Sequence, residues 1–155
     1  MDRINMKRVC LAGLAAGLVF FLTDAVADEL VVGNEIRTAL RALGKPEPQE
    51  SAAMLAYLVV FSAVFGSALV WLYAAIRPRF GSGPRTAIRA GLIAWFFFGV
   101  IDALGWAPIG FIPVRLYVIG NMAWVVQTIL AALVGGWLYK EEEDVRVTSR
   151  TAVVR

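Results

Sequence analysis

Four apolar runs, each near twenty residues long, decide what this chain can fold into. They are residues 9–27, 52–76, 90–107 and 116–139, and charge within them is confined to positions near their ends. Crossing a hydrocarbon layer ~30 Å thick takes ~20 residues at 1.5 Å each, so each run has the length of a membrane span. Each is also too rich in Leu, Ala, Val and Phe to leave a helical face in water. With 59% hydrophobic and only 17% charged residues, nothing outside the runs is long enough to bury a soluble core. The expected fold is an all-α integral membrane protein: a four-transmembrane-helix bundle over residues 1–139, with a flexible tail at 140–155.

Lys and Arg set the expected orientation. Arg3, Lys7 and Arg8 precede the first run, and Arg77, Arg79, Arg85 and Arg89 lie between the second and third with no acid among them. Cationic segments stay in the cytoplasm, so both of these are expected there, and an even number of spans returns the C-terminus to the same side. The connection from Asp28 to Ser51, with five acids and three bases, is expected outside. Residues 1–27 also fit a secretory signal with a small-residue site at Ala25, Val26 and Ala27. The length of the apolar stretch and Asp24 beside that cut favour retention of the span.

Beyond the first run, Glu35 to Gly44 places Ile36, Ala39, Leu40 and Leu43 at helical spacing, which predicts a short external amphipathic helix ended by Gly44. Arg77 to Arg85 reads as a turn built on two prolines and two glycines. It lacks the Gly-Lys-Ser/Thr ending of a phosphate loop. Arg77, Arg79, Arg85 and Arg89 are therefore expected to contact lipid headgroups, anionic ones being the favoured partners. Gly13 and Gly17, and the stripe Ala123, Gln127, Ala131 and Gly135, are spaced for close helix packing, inside one bundle in preference to a dimer face.

Chemistry inside a membrane rests on residues that are costly to insert. Asp24 and Asp102 both lie about 20–24 Å from the basic ends of their spans at the helical rise. Tyr57, Asn121, Gln127 and Arg115 fall in the same outer layer, and Asp28 stands one turn beyond Asp24. The expectation is a polar cluster opening outward, serving as hydrogen-bonded glue or as a proton or cation site. The chain has no His and a single Cys, Cys10, so no nucleophile and base are paired and no metal set is evident. It reads as a non-enzymatic accessory or interaction protein without a cofactor or metal. The alternative is a small proton- or cation-coupled transporter or channel using Asp24 and Asp102. Expected partners are membrane lipids and a second copy or another membrane protein, with no nucleic acid.

The stretch from Trp71 to Arg85, continuing through Arg89 to Leu92, together with Gly136 to Glu141 and an acid at Asp24, resembles an uncharacterised family of small bacterial four-span inner-membrane proteins. The resemblance covers most of residues 9–141. It implies a bacterial inner membrane and, since that family has no assigned activity, no function.

Overall fold

A computed structural model of the chain describes residues 4–46, 51–110 and 113–139. The expected tail at 140–155 lies outside the described residues. The protein is an all-α four-helix bundle whose four long helices have the length and apolarity to span a membrane.

Helix α1 (Met6–Ala27) begins where the Asn5 side chain accepts a hydrogen bond from the Arg8 N–H at 3.2 Å, filling one of the orphan donors of a first turn. It does not end at Ala27 as the apolar run suggested. A π-helical turn, Asp28–Val32, carries it without a break into α2 (Gly33–Ala42). Nothing before Gly33 breaks a helix, and Gly33 keeps a helical φ of −58°, its N–H reaching back to the Asp28 carbonyl. The stop comes at Gly44, whose φ of +66° lets its N–H bond to Arg41 at 3.0 Å and the Lys45 N–H to Leu40 at 2.9 Å. These paired bonds satisfy the last carbonyls of α2. Ile36, Ala39 and Leu40 are half-buried, as the amphipathic pattern predicts, while Leu43 is exposed.

Helix α3 (Ala52–Phe80) starts at Ser51, whose hydroxyl accepts from the Met54 N–H at 3.1 Å. It runs four residues past the expected end, taking in Arg77, Pro78 and Arg79. A proline in the last turn forfeits one backbone bond, and the turn still closes with the Gly81 N–H on the Arg77 carbonyl at 2.8 Å. The expected nine-residue turn therefore shrinks to Gly81, Ser82 and Gly83, with φ of +79° and +131° at the two glycines. Two buried side chains fix it. Thr86 Oγ1 donates to the carbonyls of Phe80 and Gly81 at 3.3 and 2.8 Å, and the Tyr73 hydroxyl accepts from the Gly83 N–H at 3.2 Å.

Pro84, pre-set for a first helical position, then opens α4 (Pro84–Trp95), so the third span starts six residues before the expected residue 90. It continues through a π-helical segment, Phe96–Ile101, a short helix α5 (Asp102–Trp106) and a 3-10 turn, Ala107–Ile109. Helix α6 (Val114–Leu138) completes the bundle.

The packing is small inside and large outside. On α1, Ala12 and Ala16 are 4% and 0% exposed, whereas Leu11, Leu14, Leu18 and Leu22 are all more than half exposed. A soluble bundle does the reverse. In lipid, leucine gains nothing by turning inward, while small residues let backbones approach and disperse against one another. Accordingly α1 packs on α3 and α6, and α4 on α6. Gly13 and Gly17 of α1 meet Ser62, Gly66 and Ser67 of α3, and Gly135 of α6 lies against Ala16 and Val70. Phe20, Phe65 and Trp124 fill the centre with ring centroids 4.6 to 6.2 Å apart.

Candidate functional site

Asp24 lies on the inward side of α1, half-buried, one residue after Thr23. Thr23 Oγ1 is occupied by its own helix, donating to the carbonyls of Val19 and Phe20 at 2.8 and 3.0 Å. That leaves the Thr23 carbonyl to receive Gln127 Nε2 of α6 at 3.5 Å. The Asp24 carboxylate lies near the side chains of Gln127 and Trp124, with Asp28 the neighbouring charge. The acid therefore faces α6 beside the Gln127–Thr23 bond that links the two helices. Gln127 is 3% exposed, and its Oε1 has no hydrogen-bond partner among the described residues. Trp124 is the member that sequence reasoning missed. It stands three residues before Gln127 and so shares its face, and an indole N–H inside a span needs an acceptor.

The remaining residues expected in this layer go elsewhere. Asp102 is exposed and accepts from Trp106 Nε1, on its own helix, at 3.1 Å. It is not among the groups acting on Asp24. The π-helical segment explains this. The buried stripe of α4 runs Ala87, Ala90, Gly91 and Ala94, and continued at helical spacing it would reach Phe98 and then Ile101 or Asp102. The wider π turn inserts a residue, so Gly99 and Ala103 take the inward places and Asp102 turns out.

Tyr57 is 63% exposed and stacks on Phe61 with centroids 6.3 Å apart. Asn121 joins α6 to the third span. Its backbone carbonyl accepts from Trp95 Nε1 at 3.0 Å and its Nδ2 donates to the Tyr117 carbonyl at 3.0 Å. Arg115 bonds to Glu35 of α2 at 3.2 Å in an exposed ion pair that sequence spacing gave no reason to expect. Asp28 is exposed at the end of the α1 spiral.

At the opposite end of the bundle the four arginines divide. Arg77 is buried, 8% exposed, and lines a cleft of about 440 Å³ between the end of α3, the Gly83 turn and the end of α6. Arg79, Arg85 and Arg89 are exposed. The Arg89 guanidinium lies 4.7 Å over the Phe80 ring, a cation–π contact across the turn.

Among the described residues, no three of the Cys, Asp and Glu side chains gather as metal ligands. Cys10 is exposed. Comparison with family models, with curated proteins and with solved structures finds no match to this chain.

Proposed function

We propose that this chain is a non-enzymatic integral protein of a bacterial cytoplasmic (inner) membrane, an accessory or interaction component that crosses it four times with both termini in the cytoplasm. The observation that carries the reading is the use of Asp24. Its carboxylate faces Gln127 and Trp124 of α6, beside the Gln127–Thr23 bond that joins α1 to α6, and Asp102 bonds within its own helix. Asp24 so placed belongs to the contact between α1 and α6, while Asp102 serves its own helix, and neither placement requires a transport role. Leucines outward and alanines and glycines inward support the membrane setting, and the arginines between the second and third spans support the orientation. In the most apolar eighteen-residue stretch of the third span 11% of residues are buried, against 28–33% in the corresponding stretches of the others. Its outer half, with Phe96, Phe97 and Phe98 exposed, offers a face to lipid, a second copy or another membrane protein.

One observation favours a second reading, a small proton- or cation-coupled transporter or channel using Asp24 and Asp102. Gln127 Oε1 is buried beside Asp24 and accepts from nothing among the described residues. A proton carried by Asp24 would supply that missing donor. Proton or cation flux in liposomes, measured with thermal stability in detergent for wild type, Asp24→Asn and Asp102→Asn, separates the two. The accessory reading expects no flux from any of them and a stability loss near ~0.6 kcal/mol, the average for such bonds in membranes. Wild-type flux abolished in a stably folded Asp24→Asn would replace it with the transporter.

A further inference from the structure

The cleft at the arginine-rich end brings a buried arginine, two hydroxyls and a helix start together. Arg77 lies in the last turn of α3, yet it is more buried than most residues of its span. Beside it, Tyr73 is 3% exposed. The Tyr73 hydroxyl accepts from the Gly83 N–H at 3.2 Å, and its own proton has no acceptor among the described residues. The exposed hydroxyl of Ser82 stands at the rim. Behind these lies the start of α4, whose own first turn carries no acid to offset the positive end of its dipole. No acid lines the cleft among the described residues. The walls away from Arg77, Leu133 and Trp137, are apolar, and Trp137 is 73% exposed.

The cleft offers a guanidinium, two hydroxyls that can donate and the positive end of a helix. A guanidinium presents five N–H donors in a planar fork, more than one partner can take, and the fork matches the oxygens of a phosphate. We propose that this cleft binds a phosphate oxyanion, as the phosphodiester of an anionic membrane lipid or as free phosphate. Arg77 and the Tyr73 and Ser82 hydroxyls would face the oxygens, and in a lipid the glycerol and first acyl carbons would follow Leu133 and Trp137 toward the bundle surface. The site itself needs only the fold, whereas a lipid as its source rests on the membrane reading. Arg79, Arg85 and Arg89, being exposed, act at longer range and raise the local concentration of anions.

The test uses the full chain in maltoside detergent, which carries no phosphate. Trp137 fluorescence and intact-complex mass spectrometry follow titrations with short-chain phosphatidylglycerol, the diacylglycerol of the same chains, and inorganic phosphate. Saturable binding of phosphatidylglycerol, none of diacylglycerol, and at least a roughly tenfold weakening in Arg77→Gln are expected, with much smaller losses in Arg79→Gln and Arg89→Gln. Ser82→Phe, which blocks the mouth from an exposed position and leaves Arg77 in place, should weaken binding similarly even if Arg77→Gln folds poorly. Saturation by inorganic phosphate without binding of the lipid upholds the site and identifies the free ion as its source. Wild-type affinity in both Arg77→Gln and Ser82→Phe, or equal saturation by diacylglycerol, would overturn the proposal. So would binding that appears only after Glu141, Glu142, Glu143 and Asp144 are neutralised, because the cleft would then belong to the chain's own acids.

Discussion

Gly66 of α3 lies so close to Gly17 of α1 that a Cβ on Gly66 would fall on the backbone nitrogen of Gly17 and the carbonyl oxygen of Gly13. Two backbones touch there. Because those atoms belong to helix backbone, no rotamer change can make room, and the helices themselves would have to part. Gly66→Ala is therefore expected to lower stability by about 1–3 kcal/mol, the usual cost of overpacking, and Gly66→Leu to prevent the α1–α3 contact. Gly120 of α6 is the control, with nothing within 4 Å of its missing Cβ. Gly120→Ala should be neutral or stabilising by roughly 0.5–1 kcal/mol, from helix propensity alone. Thermal unfolding in detergent reads both.

The bond across α1 and α6 makes a second, independent prediction. Asp24 and Gln127 are neighbours across the two helices, so Asp24→Asn and Gln127→Leu should be non-additive, with a coupling of about 0.6 kcal/mol and no more than about 1.7. Asp102 bonds to Trp106 and not to α6. The same cycle with Asp102→Asn and Gln127→Leu should close to within about 0.5 kcal/mol. Coupling between Asp102 and Gln127 as large as that of Asp24 would mean that the two acids share one cluster after all.

The reasons those two acids separate also mark what the amino-acid order could convey. Length and apolarity announce four spans, since no other structure satisfies twenty apolar residues of backbone in lipid. Small-residue spacing likewise announced the inward stripe of α1, where Gly13 and Gly17 face α3. Depth in the membrane follows from counting residues, and by that count Asp24 and Asp102 match. Direction around the helix does not, because it depends on every residue between the reference point and the acid being α-helical. The π-helical segment Phe96–Ile101 has no Pro or Ser signal, only Gly99 fitting against Asn121, and one inserted residue turns Asp102 outward. Span ends were equally hidden. Pro78 reads as a stop, yet Thr86 and Tyr73, which bond to the turn from the two helices that flank it, hold the helix past it to Phe80.

That turn gives a third prediction. Thr86 is 2% exposed, and Thr86→Val keeps its shape while removing the hydroxyl that serves two carbonyls. Tyr73→Phe removes the acceptor for the Gly83 N–H. Each loss leaves a backbone group short of a partner at a partly buried site, at about 1–2 kcal/mol apiece. Their effects should fall short of additive, since both act on one three-residue turn. A change below about 0.3 kcal/mol in either variant would show that water replaces the bond without cost, and that the glycines alone hold the turn.

Orientation can be read chemically, because the connections at the two ends of the bundle carry exposed residues. In a Cys10→Ser background, Lys45→Cys lies just past α2 and Ser82→Cys in the turn between α3 and α4, both at exposed positions. If the arginine bias governs insertion, a membrane-impermeant maleimide should label Lys45→Cys in intact cells and Ser82→Cys only after permeabilisation. Labelling of Ser82→Cys in intact cells would invert the topology and move the phosphate cleft to the outer surface. The same preparations decide the fate of the first span. Helix α1 passes without a break through Asp28 into α2, so cleavage after Ala27 would cut a continuous helix and remove Asp24 from Gln127. Mass spectrometry of the purified protein should therefore find Asp24 retained, and a mature chain beginning at Asp28 would reduce the bundle to three helices and discard the α1–α6 bond with it.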